Sequence, residues 1–411
     1  MKIFWKKRNT QSKGIVSSNL ILIWFFLGFL TFQTDTAQAA CDPQFIQVNQ
    51  NGFGSQFNRY CWSMKVWNGH LYVGTRNMKK GGEIWRYDGT EWQNVVSAGF
   101  TSKESEGFRN LEILNNVIYA GSMNLYSGAE LLRSHDGTNW EIVMDDGFGV
   151  PQNDSIRGMQ TFAGFLYIGL QNQGTGSGQL YRTEDGTTFI PVSLDGFGDR
   201  DNNSMHTMEV FNSQLYVGTR NRNAGLQIWR TMDGSNFEMV VGPGAATPEG
   251  FGSKRGNRSA MDMHVFNGQM YVGVSNPTRG FSVWRTSDGL TYEQVISNGF
   301  GVFGNSFAWR FATYENQVWL GTYNYLNAFF INRGASLWRS STGNVDDWKE
   351  LVGKDGIYFG YGFDNDCVWG IRAFEIFQGK LYIGTGNRDW CLNLDEAGAE
   401  VWEWPGEVCD E

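Results

Sequence analysis

Three arginines occupy equivalent places in the chain. Arg109, Arg157 and Arg372 each stand twelve residues before a glycine of a recurring pattern, at Gly121, Gly169 and Gly384. Elsewhere that place is taken by Trp62, His206, Met261 and Trp309. Guanidinium forks that converge on one point form an anion clamp. The same arginines could instead hydrogen-bond carbonyls of neighbouring elements, and the sequence leaves both roles open. A second group gathers late in the chain: Tyr323, Tyr325, Phe329, Phe330, Tyr358, Phe359, Tyr361, Trp369 and Trp390, with Asp364, Asp366, Asp389, Asp395 and Glu396 among them. Aromatic faces beside carboxylates suit sugar rings, whose C–H groups pack on the aromatics while their hydroxyls donate to the acids. Long loops also need a small core of their own, which gives these aromatics a second reading. Asp364 and Asp366 supply hard oxygen ligands for Ca²⁺, although their spacing matches no complete calcium loop. A pair among Asp364, Asp366, Asp389 and Asp395 could serve glycoside cleavage.

The elements that must position these residues follow from a repeat. The glycine recurs at Gly74, Gly121, Gly169, Gly218, Gly273, Gly321 and Gly384, with spacings of 47, 48, 49, 55, 48 and 63 residues. A period of this size announces a repeat architecture. Within it the apolar residues alternate over short runs, which is the pattern of strands. In the fourth repeat, strands are expected over 204–211, 214–219, 225–231 and 236–241. Four antiparallel strands per unit is the blade of a β-propeller, and seven units predict a seven-bladed, all-β ring.

The two ends of the chain predict how that ring closes. Phe45-Ile46-Gln47-Val48 followed by Asn51-Gly52-Phe53-Gly54 matches Tyr292-Glu293-Gln294-Val295 followed by Asn298-Gly299-Phe300-Gly301, so it reads as a fourth strand with no preceding unit. Glu400-Val401-Trp402-Glu403 reads as a third strand with no successor. The N-terminal strand is therefore expected to complete the last blade. The loops from second to third strand are longest in the last two units, where Gly321 to Trp338 takes 17 residues and Gly384 to Trp402 takes 18, against eleven in units one, four and five. Up-and-down strand order puts these loops on one face.

Residues 1–39 read as a signal peptide. Lys2, Lys6, Lys7, Arg8 and Lys13 form a basic region, 20–30 is an apolar run too short to span a bilayer, and Ala37-Gln38-Ala39 is a small-x-small cleavage site. Residues 40–411 then form one domain, secreted or periplasmic. A lipoprotein fits less well, because Gln38 stands three before Cys41 where Leu or a similar residue is needed. Removal of 1–39 leaves 28 Lys and Arg against 41 Asp and Glu, a net charge of −13. That charge argues against nucleic acid and anionic membranes as partners. Cys41 and Cys409 flank the expected closure and are assigned as one disulfide; Cys367 and Cys391, on loops of one face, are the second candidate pair. Cys61 is left as a small buried hydrophobe.

One turn carries a resemblance. Ser134-His135-Asp136-Gly137-Thr138-Asn139-Trp140, Thr183-Glu184-Asp185-Gly186-Thr187-Thr188-Phe189, Thr231-Met232-Asp233-Gly234-Ser235-Asn236-Phe237 and Thr286-Ser287-Asp288-Gly289-Leu290-Thr291-Tyr292 resemble the Asp-box of sialidases and other secreted propellers, with one residue missing between Asp and Gly. A fifth copy is partial, at Asp88-Gly89. The resemblance implies a structural turn on the face opposite an active site. The sialidase catalytic motifs are not found.

Other chemistry is excluded by spacing. His70, His135, His206 and His264 lie in different repeats without metal-ligand spacing, and no phosphate-cradling glycine motif or serine nucleophile elbow occurs. Features present in all seven units read as scaffold, including Asn77, Asn124, Asn172, Asn221, Asn276, Asn324 and Asn387, three residues after each glycine, and the Phe of each Gly-Phe loop. The expected function is an exported, monomeric binding module for a glycan or other extracellular ligand, through the loops of the last two units. The alternatives are a glycan-cleaving enzyme using the loop carboxylates and a protein-interaction scaffold.

Overall fold

In the computed structural model the described residues are 44–406, apart from 175, 303, 325–333, 390 and 392–395. The expected leader 1–39, the Cys41–Cys409 pair, Tyr325, Trp390 and Asp395 lie outside them. The described chain is all-β, and the sheet it forms is antiparallel and closed, giving a propeller-like fold. In the fourth repeat Asn202–Phe211 pairs with Gln214–Asn221, that strand with Ile228–Thr231, and that one with Glu238–Val241. The order recurs along the chain. The first strands are Tyr60–Trp67, Ser105–Leu114, Asn153–Phe162, Asn202–Phe211, Ser259–Phe266, Asn305–Tyr314 and Val368–Phe377.

Successive units are joined by one β-bridge each, from the end of a second strand to the start of the next first strand. The pairs are Arg76 with Gly107, Met123 with Ser155, Gln171 with Ser204, Arg220 with Ser259, Ser275 with Phe307, Tyr323 with Gly370, and Gly386 with Tyr60. The last of these returns to the first unit. Ile46 and Gln47 pair with Glu403 and Trp402, so the outermost strand of the final unit comes from the other end of the chain. This leaves no unpaired edge at the junction.

Third and fourth strands start later than the alternation predicts, for local reasons. Gly225 turns the backbone at φ 98°, and Gln227 N–H donates to Thr219 Oγ1 at 2.9 Å, so regular pairing begins only at Ile228. Asp233 Oδ1 accepts the N–H groups of Ser235 and Asn236 at 2.8 Å, which delays the fourth strand to Glu238. The same turn is built at Asp136, Asp185 and Asp288, and each is led by a Ser or Thr whose Oγ accepts the glycine N–H. Asp88 Oδ1 likewise takes two N–H groups. The sixth unit makes its turn from the far side, with Asp347 accepting from Ser340, Ser341 and Thr342. A short acceptor that satisfies backbone donors defines the turn in every case.

Scaffold residues act as their recurrence implies. Asn77, Asn124, Asn172, Asn221 and Asn276 accept loop N–H groups through Oδ1. The side-chain amides of Asn77, Asn172, Asn221, Asn276 and Asn324 donate to a partner asparagine at the start of the first strand: Asn58, Asn153, Asn202, Asn257 and Asn305. Each partner in turn donates to the glycine carbonyl of a Gly-Phe loop. The Phe of that loop stacks on the third-strand tryptophan, as Phe251 does on Trp284 at 4.6 Å and Phe300 on Trp338 at 3.9 Å. Stacking holds these phenylalanines at positive φ, a conformation bulky residues avoid.

Adjacent units also lock through the Asp turn. The Tyr167 hydroxyl donates to Gly234 O at 3.0 Å, and a Cβ at Gly234 would overlap that hydroxyl. Gly234 has φ 74°, so alanine there meets both a clash and backbone strain. Gly234→Ala is expected to destabilise the protein by about 1–3 kcal/mol, read as a lower urea midpoint. Tyr167→Phe in the same chain should recover part of that loss. A midpoint unchanged by Gly234→Ala would refute this packing account.

Candidate functional site

The site arises from a defect shared by every first strand. In all seven, the register with the second strand skips the residue twelve before the repeat glycine, namely Trp62, Arg109, Arg157, His206, Met261, Trp309 and Arg372, and five of the strands skip a second residue nearer their start. A bulge frees a side chain from the alternation of the strand and re-aims it. Six of these residues, all but Trp309, line a central cavity of about 400 Å³, together with residues further along the same strands and with Arg310 and Phe311 of the sixth. The place twelve before the repeat glycine is thus the bulge. Its backbone is scaffold and its side chains differ from unit to unit.

Arg109, Arg157 and Arg372 are brought together here. Arg109 and Arg372 are 8% and 5% exposed. Arg109 lies 4.1 Å over the Trp62 ring and Arg372 5.3 Å over Trp309, where Gly370 leaves room for the indole. Arg157 Nε donates to Gln171 Oε1 at 2.6 Å, and Gln171 is held by Asp154. Among the described residues no ion pair neutralises any of the three. The Nε atoms of Arg109 and Arg372 are buried without a hydrogen-bond partner. Burial lowers the affinity of Arg109 for its proton, and the charges of Arg157, Arg372 and Arg76 add to the effect. Burial lowers Arg157 to about 10. His206 is pushed well down, first by burial and then by the surrounding arginines, so it stands neutral. Its Nδ1 lies 3.4 Å from Ser204 Oγ.

One position along, Arg310 Nη1 pairs with Asp262 Oδ1 at 2.8 Å, while Asp262 Oδ2 accepts the Phe311 N–H. The negative charge of Asp262 is thereby spent on Arg310 and a backbone donor. Three positions along comes a ring of different character: Lys65, Glu112, Gln160, Glu209, His264 and Glu375. Lys65 and Glu112 pair at 3.0 Å. His264 Nε2 lies 2.7 Å from Thr313 Oγ1. Burial raises Glu209 from an ordinary 4.5 to about 8, and Glu375 to about 7. The cavity is therefore cationic at the end where the first strands begin and holds proton-retaining carboxyls deeper in. Sequence reasoning isolated the bulge position alone. The deeper ring obeys the same offset rule three residues on, which was the signal available.

An aromatic collar stands beside the arginines. Tyr60, Trp62, Trp309, Tyr323 and Trp369 cluster, with Tyr323 at 5.1 Å from Trp369 and 4.9 Å from Trp309, and Tyr60 at 6.0 Å from Trp309. Tyr323 and Trp369 thus join Arg109 and Arg372. Tyr358 does not: it packs 5.7 Å from Phe45 and 5.3 Å from Trp404, and Phe359 lies beside it, so the 353–367 connection builds its own core around the N-terminal strand. Tyr361 opens the turn Tyr361–Asp364 and is half-buried. Asp364 and Asp366 are exposed, Asp364 accepts the Gly360 N–H, and Asn365 between them turns inward to Glu400. No group of three or more His, Cys, Asp or Glu able to hold a metal occurs among the described residues. Cys367 and Cys391 form a disulfide with Cα atoms 5.4 Å apart, and Cys61 is a buried free thiol.

The raised Glu209 links the cavity to stability. The folded state holds this proton more tightly than the unfolded chain, so its contribution is complete below about pH 4 and is lost as pH rises through about 8. Glu209→Gln removes the titration. Chemical denaturation from pH 5 to pH 9 should show wild-type stability falling more steeply than that of the variant. Parallel curves would mean that Glu209 titrates normally.

The chain is similar in structure to the xyloglucanase from Xanthomonas campestris, with a TM-score of 0.53 and 14% identity over 87% of this chain. It spans about half, 55%, of that enzyme's length. It is also similar to the WD40 β-propeller domain of Doa1, with a TM-score of 0.49 and 6% identity over 88% of this chain and 95% of that one. A polysaccharide lyase, an ulvan lyase, gives 0.48 and 12% over 87% and 95%. No family model matches the sequence, and no curated protein matches it. At these identities the likeness is one of fold, and the fold is propeller-like.

Proposed function

We propose that the protein is an exported seven-bladed β-propeller that binds a carboxylate-bearing sugar at the cationic end of its central cavity. The observation that carries this reading is the set of buried arginines without counter-ions. An unpaired buried charge is costly, and a guanidinium nitrogen left without an acceptor costs about 1–3 kcal/mol or more. A site that keeps Arg109 and Arg372 in that condition is preorganised for an anion that supplies the missing acceptors. The collar of Tyr60, Trp309, Tyr323 and Trp369 beside it suits the C–H face of a sugar ring. The cavity volume falls in the range of small-ligand sites. Binding of a monoanionic sugar is expected to weaken about 10–100-fold in Arg372→Ala, and to fall with added salt. Calorimetry with glucuronic and galacturonic acids against glucose tests the proposal. Equal affinity for the neutral sugar, or an Arg372→Ala variant that binds as wild type, would overturn it.

A second reading, glycan cleavage, draws on one further observation. Glu106 Oε2 and Asp389 Oδ1 approach the two ends of the Arg76 guanidinium, at 3.7 Å and 3.3 Å. Burial raises Glu106, whereas the Asp389 side chain is 37% exposed. Two carboxyls whose environments differ in this way suit acid and base roles. If this reading holds, wild-type protein releases reducing ends from acidic oligosaccharides and Glu106→Gln lowers the rate at least about 100-fold. Absence of turnover across such substrates leaves the binding module.

A further inference from the structure

We infer that the seam between the first and last units is a second anion-holding position, so that the ligand is an acidic oligosaccharide with charge on at least two of its sugars. This rests on the reading of the central cavity as a carboxylate site. A cavity of about 610 Å³ opens at the seam, lined by Gln56, Phe57, Arg59, Arg76, Lys79 and Asp389 among others. Arg59 is only 8% exposed, and its Nη1 is buried without a hydrogen-bond partner. Its backbone is fixed on both sides, since Arg59 N–H donates to Arg76 O at 2.8 Å and Arg59 O accepts the Asn387 N–H at 2.6 Å. The backbone that carries the guanidinium is therefore fixed, and one of its donors is unfilled.

The neighbouring carboxylates are engaged elsewhere. Asp389 and Glu106 both pair with Arg76, and no ion pair to Arg59 occurs among the described residues. Lys79 adds a second cation at the rim, its Nζ 4.4 Å over the Phe57 ring. An ammonium on an aromatic face retains donors for a ligand. The seam thus offers one buried cation and one exposed cation, the exposed one set on an aromatic ring.

The seam and the central site meet at Trp62. Arg76 lies 5.3 Å over Tyr60 and 5.4 Å over Trp62, and Arg109 lies 4.1 Å over the same Trp62. Arg59 directly precedes Tyr60 in the chain, so an acidic oligosaccharide that follows this path can meet Arg59 with one acid group and the central arginines with another. A single sugar fills one position only. A chain fills both, and the second binding event is then intramolecular.

The test compares galacturonic and glucuronic acids with their oligomers by calorimetry on the mature protein. Oligomers are expected to bind at least about tenfold more tightly than the monosaccharide, the worth of one charge-assisted hydrogen bond. In Arg59→Gln/Lys79→Ala that ratio should fall to near one, while Arg372→Ala weakens monomer and oligomer alike. Lys79→Ala alone, at an exposed position, should lower the ratio and keeps the test decisive if the double variant fails to fold. Equal binding of monomer and oligomer by the wild type, or a ratio that survives the substitutions, would overturn the seam position and leave the central reading intact. Binding of neither would overturn the central reading as well.

Discussion

Closure of the sheet is the constraint on which everything else depends. A four-stranded antiparallel ribbon has two faces to bury and cannot do so alone, so each unit packs against the next and the series must return to its start. The return is made twice, by Gly386 against Tyr60 and by Ile46 and Gln47 against Glu403 and Trp402. Phe45 drives the second contact home, packed among Trp404, Phe363 and Tyr358. The first strands then face a shared axis, and in six of the seven the bulge turns a side chain into the cavity there. Unit-to-unit repetition builds the cavity, and departures from repetition give it chemistry.

Those departures are electrostatic. Arg109, Arg157 and Arg372 sit on three bulges while His206, Met261 and two tryptophans occupy the others, so positive charge collects where no acid forms an ion pair with it among the described residues. Asp262 is already committed to Arg310 and to a backbone N–H. Deeper in, Glu209 and Glu375 hold their protons because burial penalises the carboxylate. The gradient runs along the axis, and the ligand reading proposed above follows from its cationic end.

Much of the scaffold was legible because it repeats. The Asp turns, the loop asparagines and the Gly-Phe stacks recur at fixed offsets, and recurrence separates framework from site without any comparison between proteins. Legibility failed where a contact joins residues far apart in the chain. Tyr358 and Tyr323 look alike in sequence, as aromatics on extended connections. The first is core because Phe45, more than 300 residues earlier, lies against it. The second reaches the axis because Trp309 and Trp369 hold it there. The seam cations Arg59 and Lys79 escaped notice for the same reason: the seam exists only once the last unit meets the first.

The sequence by itself determined the strand order, the repeat, the pairing of the N-terminal strand with the last unit, and the special place twelve residues before each glycine. These are properties of local pattern, since alternation, turn chemistry and spacing act over a few residues. Only the tertiary structure decided that the special place is a bulge, that Arg109 and Arg372 are buried there, that none of the three arginines has an ion-pair partner among the described residues, and that Asp262 is engaged by Arg310. Charge compensation depends on distances between strands from different units, and no local pattern encodes those distances.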